Sequence, residues 1–200
     1  MDYWDNYYLD NKLHEPSLFS NYVFSEVKKH NFKSIIDIGC GNGRDSIYFG
    51  SKNLKTLGID KSLNSIRYLK KFEKKNLSFK QLDLNNINKL KTKFEVGYCR
   101  FIFHSIDNEL QQNLFNWLAQ NITRMIFIEN RISDFNEYNN YEQNHYRNIQ
   151  TSSELLKMTK NFFNNFDFEI SNKFSPFKKK YNVEDINFDP YLIRIKIKVD

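Results

Sequence analysis

Residues 35–45 read Ile35-Ile36-Asp37-Ile38-Gly39-Cys40-Gly41-Asn42-Gly43-Arg44-Asp45. A short apolar run, predicted to be a strand, enters a turn with glycines at alternate positions, and a polar helix start follows. Glycine tolerates positive φ and lets a ligand approach the backbone closely. A helix that begins after such a turn also presents unpaired N–H groups to a ligand's polar end. The spacing therefore predicts a turn that binds a nucleotide-type cofactor.

The composition favours one compact cytoplasmic domain. The length of 200 residues suffices for one well-buried core, and we expect residues 1–200 to form a single domain. No run of about 18 apolar residues predicts a membrane span, and the first residues have no signal-peptide pattern. Cys40 and Cys99 fall in predicted strand or turn core, which is typical of a reduced, cytoplasmic protein.

Apolar segments alternate with helical patterns along the chain, which predicts an α/β fold with a doubly wound, mostly parallel seven-stranded sheet. The predicted strands are residues 34–39, 55–60, 77–83, 95–101, 125–129, 166–174 and 190–199. The last one alternates apolar and charged residues from Leu192 to Val199. We therefore expect it to lie antiparallel at the edge of the sheet, with one face toward solvent or ligand.

Two further segments flank this core. Residues 1–30 are predicted to form an N-terminal lid and helix: Tyr3, Trp4, Tyr7 and Tyr8 cluster first, and a helix begins at Glu15-Pro16. The aromatic cluster fits a lid over a ligand and a hydrophobic flap equally well. Residues 131–150 form a polar insert, interpreted as an acceptor-site insert, before a capping box at Thr151 and Glu154.

Ligands of such sheets bind at the carboxyl ends of the strands. Asp60 ends the second strand, 17 residues after Gly43, where an acid accepts hydrogen bonds from ribose hydroxyls. Asp83 ends the third strand and either accepts from an adenine amino group or is a solvated turn acid. A dinucleotide site would need its third glycine one place later, where Arg44 stands, and this departure counts against NAD.

With these motifs, the chain resembles the class I S-adenosylmethionine-dependent methyltransferases over residues 30–130. Residues 37–43 look like their first motif, Asp60 like their second, and Gln81-Leu82-Asp83-Leu84 like their third. The resemblance implies S-adenosylmethionine as cofactor and S-adenosylhomocysteine as product. The cofactor-binding residues implied are Asp37, Gly39, Cys40, Gly41, Gly43, Arg44, Asp60, Ser62, Asp83, Leu84, Arg100 and Phe101.

The rest of the chain resembles a narrower group of small bacterial methyltransferases, some of them found with capsule or surface-polysaccharide biosynthesis enzymes. The shared patterns are Tyr-Trp-Asp-x-Tyr-Tyr (3–8), Glu-Pro-Ser-x-Phe (15–19), Gly-Asn-Gly-Arg-Asp-Ser (41–46), Arg-Phe-x-x-His-Ser-Ile (100–106), Glu129-x-Arg131 and His145-Tyr146-Arg147. This resemblance indicates little about the methyl acceptor.

Methyl transfer from a sulfonium is an in-line displacement, so a base is needed only when the acceptor arrives protonated. His104 follows the fourth strand and is predicted to be that base or an acceptor-orienting group; the alternative is a structural histidine. The predicted catalytic residues are His104, Glu129 and His145.

Arginines beside these residues are suited to bind a phosphate or carboxylate of the acceptor in bidentate fashion. The predicted substrate-binding residues are Tyr7, Tyr8, Arg100, His104, Glu129, Arg131, His145, Tyr146 and Arg147. The alternative is a solvated insert with surface ion pairs. We find no spacing suited to zinc or magnesium and expect no metal.

These patterns predict a methyltransferase acting on an O or N atom of a small anionic molecule, such as a phosphorylated or phosphoramidate-type precursor of a capsular polysaccharide. The net charge of +6 leaves an RNA methyltransferase as an alternative, although only Lys178-Lys179-Lys180 forms a tight basic run. A non-catalytic cofactor-binding module is a third possibility. We expect a small anionic partner in preference to a nucleic acid, and no membrane; the oligomeric state stays open.

Overall fold

The computed structural model describes residues 3–8, 15–134, 147–171 and 191–199. The helices are α1 (Tyr3–Tyr7), α2 (Leu18–His30), α3 (Arg44–Ser51), α4 (Leu63–Leu69), α5 (Asn108–Asn121) and α6 (Ser152–Lys160). The strands are β1 (Ser34–Ile38), β2 (Lys55–Asp60), β3 (Leu77–Gln81), β4 (Phe94–Arg100), β5 (Ile122–Arg131), β6 (Phe166–Ser171) and β7 (Leu192–Lys198). Short 3-10 turns cover Lys70–Phe72, Leu84–Lys89 and Phe103–Ser105.

The seven strands form one sheet in the order β3-β2-β1-β4-β5-β7-β6, which confirms the predicted fold class. Strands β1 to β5 pair in parallel, and β7 is antiparallel to both β5 and β6. The strand order reverses between β1 and β4, because β2 lies on one side of β1 and β4 on the other. The carboxyl ends of these strands therefore frame the expected binding crevice.

The prediction that the last strand lies at the edge with an open face is wrong. Strand β7 sits between β5 and β6, and β6 forms the edge. Both faces of β7 are covered from Leu192 to Ile195, and Arg194 is only 5% exposed. On the charged face, Arg194 pairs with the buried Glu129 and with Glu169, and Lys196 pairs with Glu26 and Asp167. Lys198, at the end of the strand, is exposed.

Helices cover the two faces of the sheet with apolar side chains. On one face, α2 and α3 bury Phe19, Val23 and Phe49 against β1, β4 and β5. On the other face, α5 and α6 bury Trp117 and Leu155 among residues of the central strands. None of the helices in the described ranges is long and apolar enough to cross a membrane.

The ends of two helices test the predicted boundaries. Helix α2 begins at Leu18 and not at Glu15-Pro16, because the Ser17 side chain caps it by accepting from the Ser20 N–H at 3.0 Å. The capping box of Thr151 and Glu154 at the start of α6 is confirmed. Of the predicted insert 131–150, only residues 131–134 and 147–150 belong to the described part of the chain.

Candidate functional site

The glycine turn after β1 adopts a left-handed backbone conformation that is unfavourable for residues other than glycine. Gly39, Gly41 and Gly43 have φ values of +73°, +52° and +76°. A Cβ on Gly41 would overlap the Tyr8 hydroxyl, and one on Gly43 would overlap the Leu69 side chain. The turn thus brings its backbone close to neighbouring groups and delivers the chain into α3, as the spacing predicted.

Asp60 fastens this turn to the end of β2. Its carboxylate accepts from the Gly41 N–H and from the Ser62 N–H, both at 2.9 Å. Burial raises the pKa of Asp60, and these two hydrogen bonds offset only part of the increase. A carboxylate at this position can accept from two adjacent hydroxyl groups of a ribose.

The N-terminal helix α1 packs against the start of α4, next to Asp60 and the glycine turn. Asp5 accepts from Ser62 Oγ at 2.8 Å, and the Asn64 Nδ2 donates to the Asp5 carbonyl at 3.1 Å. Burial raises the pKa of the Tyr8 phenol, and the neighbouring Asp60 adds to the increase. Tyr8, predicted to bind the acceptor, is therefore placed against the glycine turn and Asp60, whereas Tyr7 is 61% exposed.

Other predicted cofactor residues divide between the crevice and the core. Asp83 is exposed and caps the turn Leu84–Lys89, accepting from the Asn85 N–H at 2.8 Å. Leu84 belongs to the core. The Cys40 side chain is buried with Ile66 and Leu69, so this residue contributes its backbone to the turn.

Two buried acids lie beneath the turn. Asp45, in the first turn of α3, accepts from the Ser17 N–H at 2.8 Å and from the Tyr98 hydroxyl at 2.7 Å. Burial opposes ionisation of Asp45, but Arg100, Arg44 and these hydrogen bonds lower its pKa below the usual value. Asp37 accepts from Ser46 Oγ at 2.5 Å. Burial, followed by repulsion from Asp45, raises the pKa of Asp37 to about 8.

This shift predicts how stability changes with pH. Between pH 4 and pH 8 the folded protein keeps a proton on Asp37 that the unfolded chain has lost, so stability falls as the pH rises through this range. At about 1.4 kcal/mol per pKa unit, the effect is on the order of 5 kcal/mol at most. We expect Asp37→Asn to unfold at a higher temperature than the unmodified protein at pH 8 and at a similar temperature at pH 4, with the difference growing between these values. The measurement is thermal unfolding without cofactor.

The exposed Asp83 provides the matched control for that experiment. Asp83→Asn removes a carboxylate from the same edge of the sheet without touching a buried acid. Its unfolding temperature should follow that of the unmodified protein across the pH range. Parallel curves for the unmodified protein and Asp37→Asn would show that Asp37 is ionised throughout.

A line of buried charges starts at the end of β4. Arg100 Nε donates to Glu129 Oε1 at 2.8 Å, and Arg194 Nε donates to Glu129 Oε2 at 2.7 Å. Glu129 is fully buried. Because each of its oxygens accepts from a guanidinium group, this carboxylate is placed to hold the two arginines. Its predicted catalytic role stays a prediction.

The ring of Phe101, directly after β4, contacts the guanidinium groups of Arg100 and Arg131. Phe101 has φ +60°, which is a strained backbone for a non-glycine residue and a feature that clusters at functional sites. The guanidinium carbon of Arg100 lies 4.0 Å from the ring centre, and that of Arg131 lies 5.0 Å from it. Stacking on an aromatic ring fixes a guanidinium group in place while it stays charged.

His104 lies in the turn Phe103–Ser105 and is 2% exposed. Its ring Nδ1 is 2.9 Å from Asn130 Oδ1, which also accepts from the His104 backbone N–H. Asn130 Nδ2 donates to the Arg131 carbonyl at 3.0 Å, so backbone groups fix the orientation of this amide. Nδ1 therefore carries the proton, and Nε2 is the basic nitrogen of the neutral ring.

The structure brings five predicted residues together: Arg100, Phe101, His104, Glu129 and Arg131. The segment that carries Arg147 returns to them, because the Asn148 N–H donates to the His104 carbonyl at 2.8 Å. His145 and Tyr146 lie outside the described residues. Within the described ranges, no three His, Cys, Asp or Glu side chains are grouped as metal ligands.

Sequence reasoning missed three residues of this site. Asn130 stands between two residues that were selected, but an amide carries no titratable signal. Asp45 was part of the quoted motif and received no role, although an acid at a helix start suggested a partner. Arg194 was assigned to a partly open face of the last strand, and its partner Glu129 is 65 positions away.

Comparisons with known sequences agree with this arrangement. A sequence model of the methyltransferase domain matches residues 35–124, which include the glycine turn, Asp60 and Asp83. A protein of Invertebrate iridescent virus 6 named "Putative methyltransferase 235L" is 33% identical over 94 residues. The match covers 46% of this chain and 35% of the viral protein, so the chain spans about a third of that relative's length.

Solved structures share the fold at low sequence identity. A SAM-dependent methyltransferase from Archaeoglobus fulgidus superposes with a TM-score of 0.64 at 16% identity, covering 98% of this chain and all of the other. Phosphoethanolamine N-methyltransferase 2 from Haemonchus contortus, solved with phosphomonomethylethanolamine and S-adenosylhomocysteine, has a TM-score of 0.64 at 14% identity and covers 90% and 52% of the two chains. The sequence match indicates the methyltransferase domain, and the solved structures show that the chain shares their fold.

Proposed function

We propose that this chain, whose residues 35–124 match the methyltransferase domain, is an S-adenosylmethionine-dependent methyltransferase that methylates an O or N atom of a small anionic acceptor. The observation that carries the proposal is that the Asp60-anchored glycine turn lies beside the segment at the end of β4, where a Cβ on Gly39 would overlap the Ile102 side chain. That segment carries Arg100 and His104, and the Phe101 ring within it contacts Arg131. When bound, the cofactor supplies an electrophilic methyl group on a sulfonium. The chain's task is to align the acceptor with that group.

The donor side of the crevice is built from β1, β2 and β4. Asp60 would accept from the ribose hydroxyls, and the exposed Asp83 would accept from the adenine amino group. Arg100 lies one residue beyond the last β1–β4 pair, Ile38 with Cys99, and so stands beside Gly39. Its charge helps to lower the pKa of Asp45 and offsets a small part of the increase in the pKa of Asp37. This position suits a cation for the methionine carboxylate.

The acceptor side consists of Arg131 on the Phe101 ring and the segment beginning at Arg147, which is tied to His104 through Asn148. Cations in this arrangement favour an acceptor with a phosphate or carboxylate. The Haemonchus enzyme, with a phosphorylated acceptor in its complex, supports the idea that this fold accommodates such molecules. A phosphorylated or phosphoramidate-type precursor of a surface polysaccharide fits this chemistry.

His104 is the proposed base when the methyl acceptor arrives protonated. The side-chain Oδ1 of Asn130 accepts a hydrogen bond from Nδ1–H of His104 and so keeps the proton on Nδ1. Nε2 can then take a proton from a hydroxyl or ammonium group. The near-complete burial of the ring limits competition from water. In this proposal Glu129 accepts from Arg100 and holds its guanidinium group in place.

The proposal is tested by incubating the protein with methyl-labelled S-adenosylmethionine and a panel of phosphorylated sugars, phosphorylated amines and nucleotide-linked sugars. We expect label in one class of anionic metabolite. Label in added RNA, with binding that falls steeply with salt, would favour the nucleic-acid alternative. Cofactor binding without any transfer would favour a non-catalytic module, and no cofactor binding would overturn the proposal.

With the acceptor in hand, Arg131→Gln should raise its KM by about 10- to 100-fold, because one charged hydrogen-bond partner is lost. The dissociation constant for S-adenosylhomocysteine, measured by calorimetry, should change by less than about twofold. Arg124→Gln removes an exposed arginine from the same strand and is the matched control. Equal weakening of acceptor and cofactor binding would contradict an acceptor role for Arg131.

A further inference from the structure

Arg194 lies outside the part of the chain that matches the methyltransferase domain, which ends at residue 124. It sits on the inner antiparallel strand β7, with its side chain 6% exposed and its guanidinium carbon 5.9 Å from the Phe19 ring centre. A charge this deeply buried requires charged partners. The partners of Arg194 are Glu129 on β5 and Glu169 on β6, each at 2.7 Å.

The contact with Glu129 reaches the donor side of the crevice. Glu129 is fully buried, and its two oxygens are divided between Arg194 and Arg100. Glu129 lies between the two arginines because of the strand register: it is opposite Arg100 on β4 and opposite Arg194 on β7. Removing Arg194 leaves Glu129 with fewer fixed contacts, so the carboxylate and the Arg100 side chain can both turn.

We propose that Arg194 is a positioning residue for the donor site: it holds Glu129, and Glu129 in turn holds the guanidinium group of Arg100 at the end of β4, where it would bind the methionine carboxylate. The inference rests on the proposed function, because it requires the donor at this crevice. Arg194 would act through Glu129 and not by contact with either ligand. The antiparallel end of the sheet thereby contributes to cofactor affinity.

The test measures the dissociation constant for S-adenosylhomocysteine by calorimetry, together with the unfolding temperature of each variant. Arg100→Gln should weaken binding by about 10- to 100-fold. Arg194→Gln should weaken it by about 5- to 20-fold, and Arg194→Lys, which restores a cation to Glu129, should recover part of the loss. Adding Arg194→Gln to Arg100→Gln should cause no further weakening, because the two act through one contact.

The matched control is Lys196→Gln on the same face of β7. Lys196 pairs with Glu26 and Asp167 and has no contact with Glu129 among the described ion pairs. Its loss should change the dissociation constant by less than about twofold. If Arg194→Gln fails to fold, the Arg194→Gln/Glu129→Gln double variant removes both charges of that pair, and it should weaken binding by about 5- to 20-fold because Arg100 again loses its carboxylate partner. Binding within about twofold of the unmodified protein would overturn the inference.

The outcomes separate this inference from the proposed function. No binding of S-adenosylhomocysteine to the unmodified protein would overturn both. Binding by the unmodified protein that Arg194→Gln leaves within about twofold, with only the unfolding temperature lowered, would make Arg194 a structural residue and overturn the inference alone. Losses that multiply in the Arg100 and Arg194 double variant would mean that Arg194 acts on the ligand by another route.

Discussion

Replacing Asp60 by asparagine should weaken the binding of S-adenosylhomocysteine by about 100- to 1000-fold, or about 3 to 4 kcal/mol. Two charge-assisted hydrogen bonds to the ribose hydroxyls account for this loss. Asparagine also has one acceptor oxygen where aspartate has two. It therefore cannot hold both the Gly41 N–H and the Ser62 N–H, and the glycine turn loosens as well.

The same substitution should not lower stability. Burial raises the pKa of Asp60, so its carboxylate is held ionised at a cost to the folded state. An uncharged amide removes that cost and loses one backbone hydrogen bond, and these changes oppose each other. We expect an unfolding temperature equal to or above that of the unmodified protein at pH 7.5. Binding is measured by calorimetry and unfolding by circular dichroism.

Glu95 offers a control with matching chemistry at the opposite end of the strands. Its carboxylate accepts from the backbone N–H groups of Lys33 and Ser34, at 2.5 and 3.2 Å, where β1 begins. Glu95→Gln therefore removes a carboxylate that holds two backbone groups, far from the proposed donor. Its affinity for S-adenosylhomocysteine should stay within about twofold of the unmodified protein. Equal losses for both variants would place the donor somewhere other than Asp60.

The features that follow from local sequence were predictable. The apolar run before Gly39 and the alternate glycines determine a strand and a turn within a dozen residues. Asp60 then follows from the strand that comes next. The parallel pairing of β1 to β5 also follows, because strands that alternate with helices are joined by crossover connections. The donor side of the crevice could therefore be predicted from the sequence.

The features that depend on distant partners were not predictable. The alternation in β7 has the same period whether its charged face meets water or buried acids, and only Glu129 and Glu169 decide the outcome for Arg194. Likewise, the start of α2 depends on Ser17, whose backbone N–H and hydroxyl also bind Asp45 on α3. In both cases a contact across many residues overrides the local pattern.

His104 is the residue whose replacement should affect turnover most. If Nε2 accepts the acceptor's proton, His104→Ala should lower kcat by about 10²- to 10⁴-fold, with the dissociation constant for S-adenosylhomocysteine changed by less than about threefold. The buried ring also has a structural contact, because Nδ1 donates to Asn130. Loss of that contact alone would lower stability without changing kcat per folded molecule. Alanine removes both functions at once.

The substitution His104→Asn separates the proton-accepting function of His104 from its structural contact with Asn130. Its side-chain amide can donate to Asn130 Oδ1 much as the histidine Nδ1 does, but it has no basic nitrogen at the Nε2 position. We therefore expect His104→Asn to unfold near the temperature of the unmodified protein and yet to lose turnover as severely as His104→Ala. Single-turnover rates with saturating cofactor measure the chemical step directly. Recovery of the rate in His104→Asn would identify His104 as a structural residue, since a side chain that cannot accept a proton would then support full transfer.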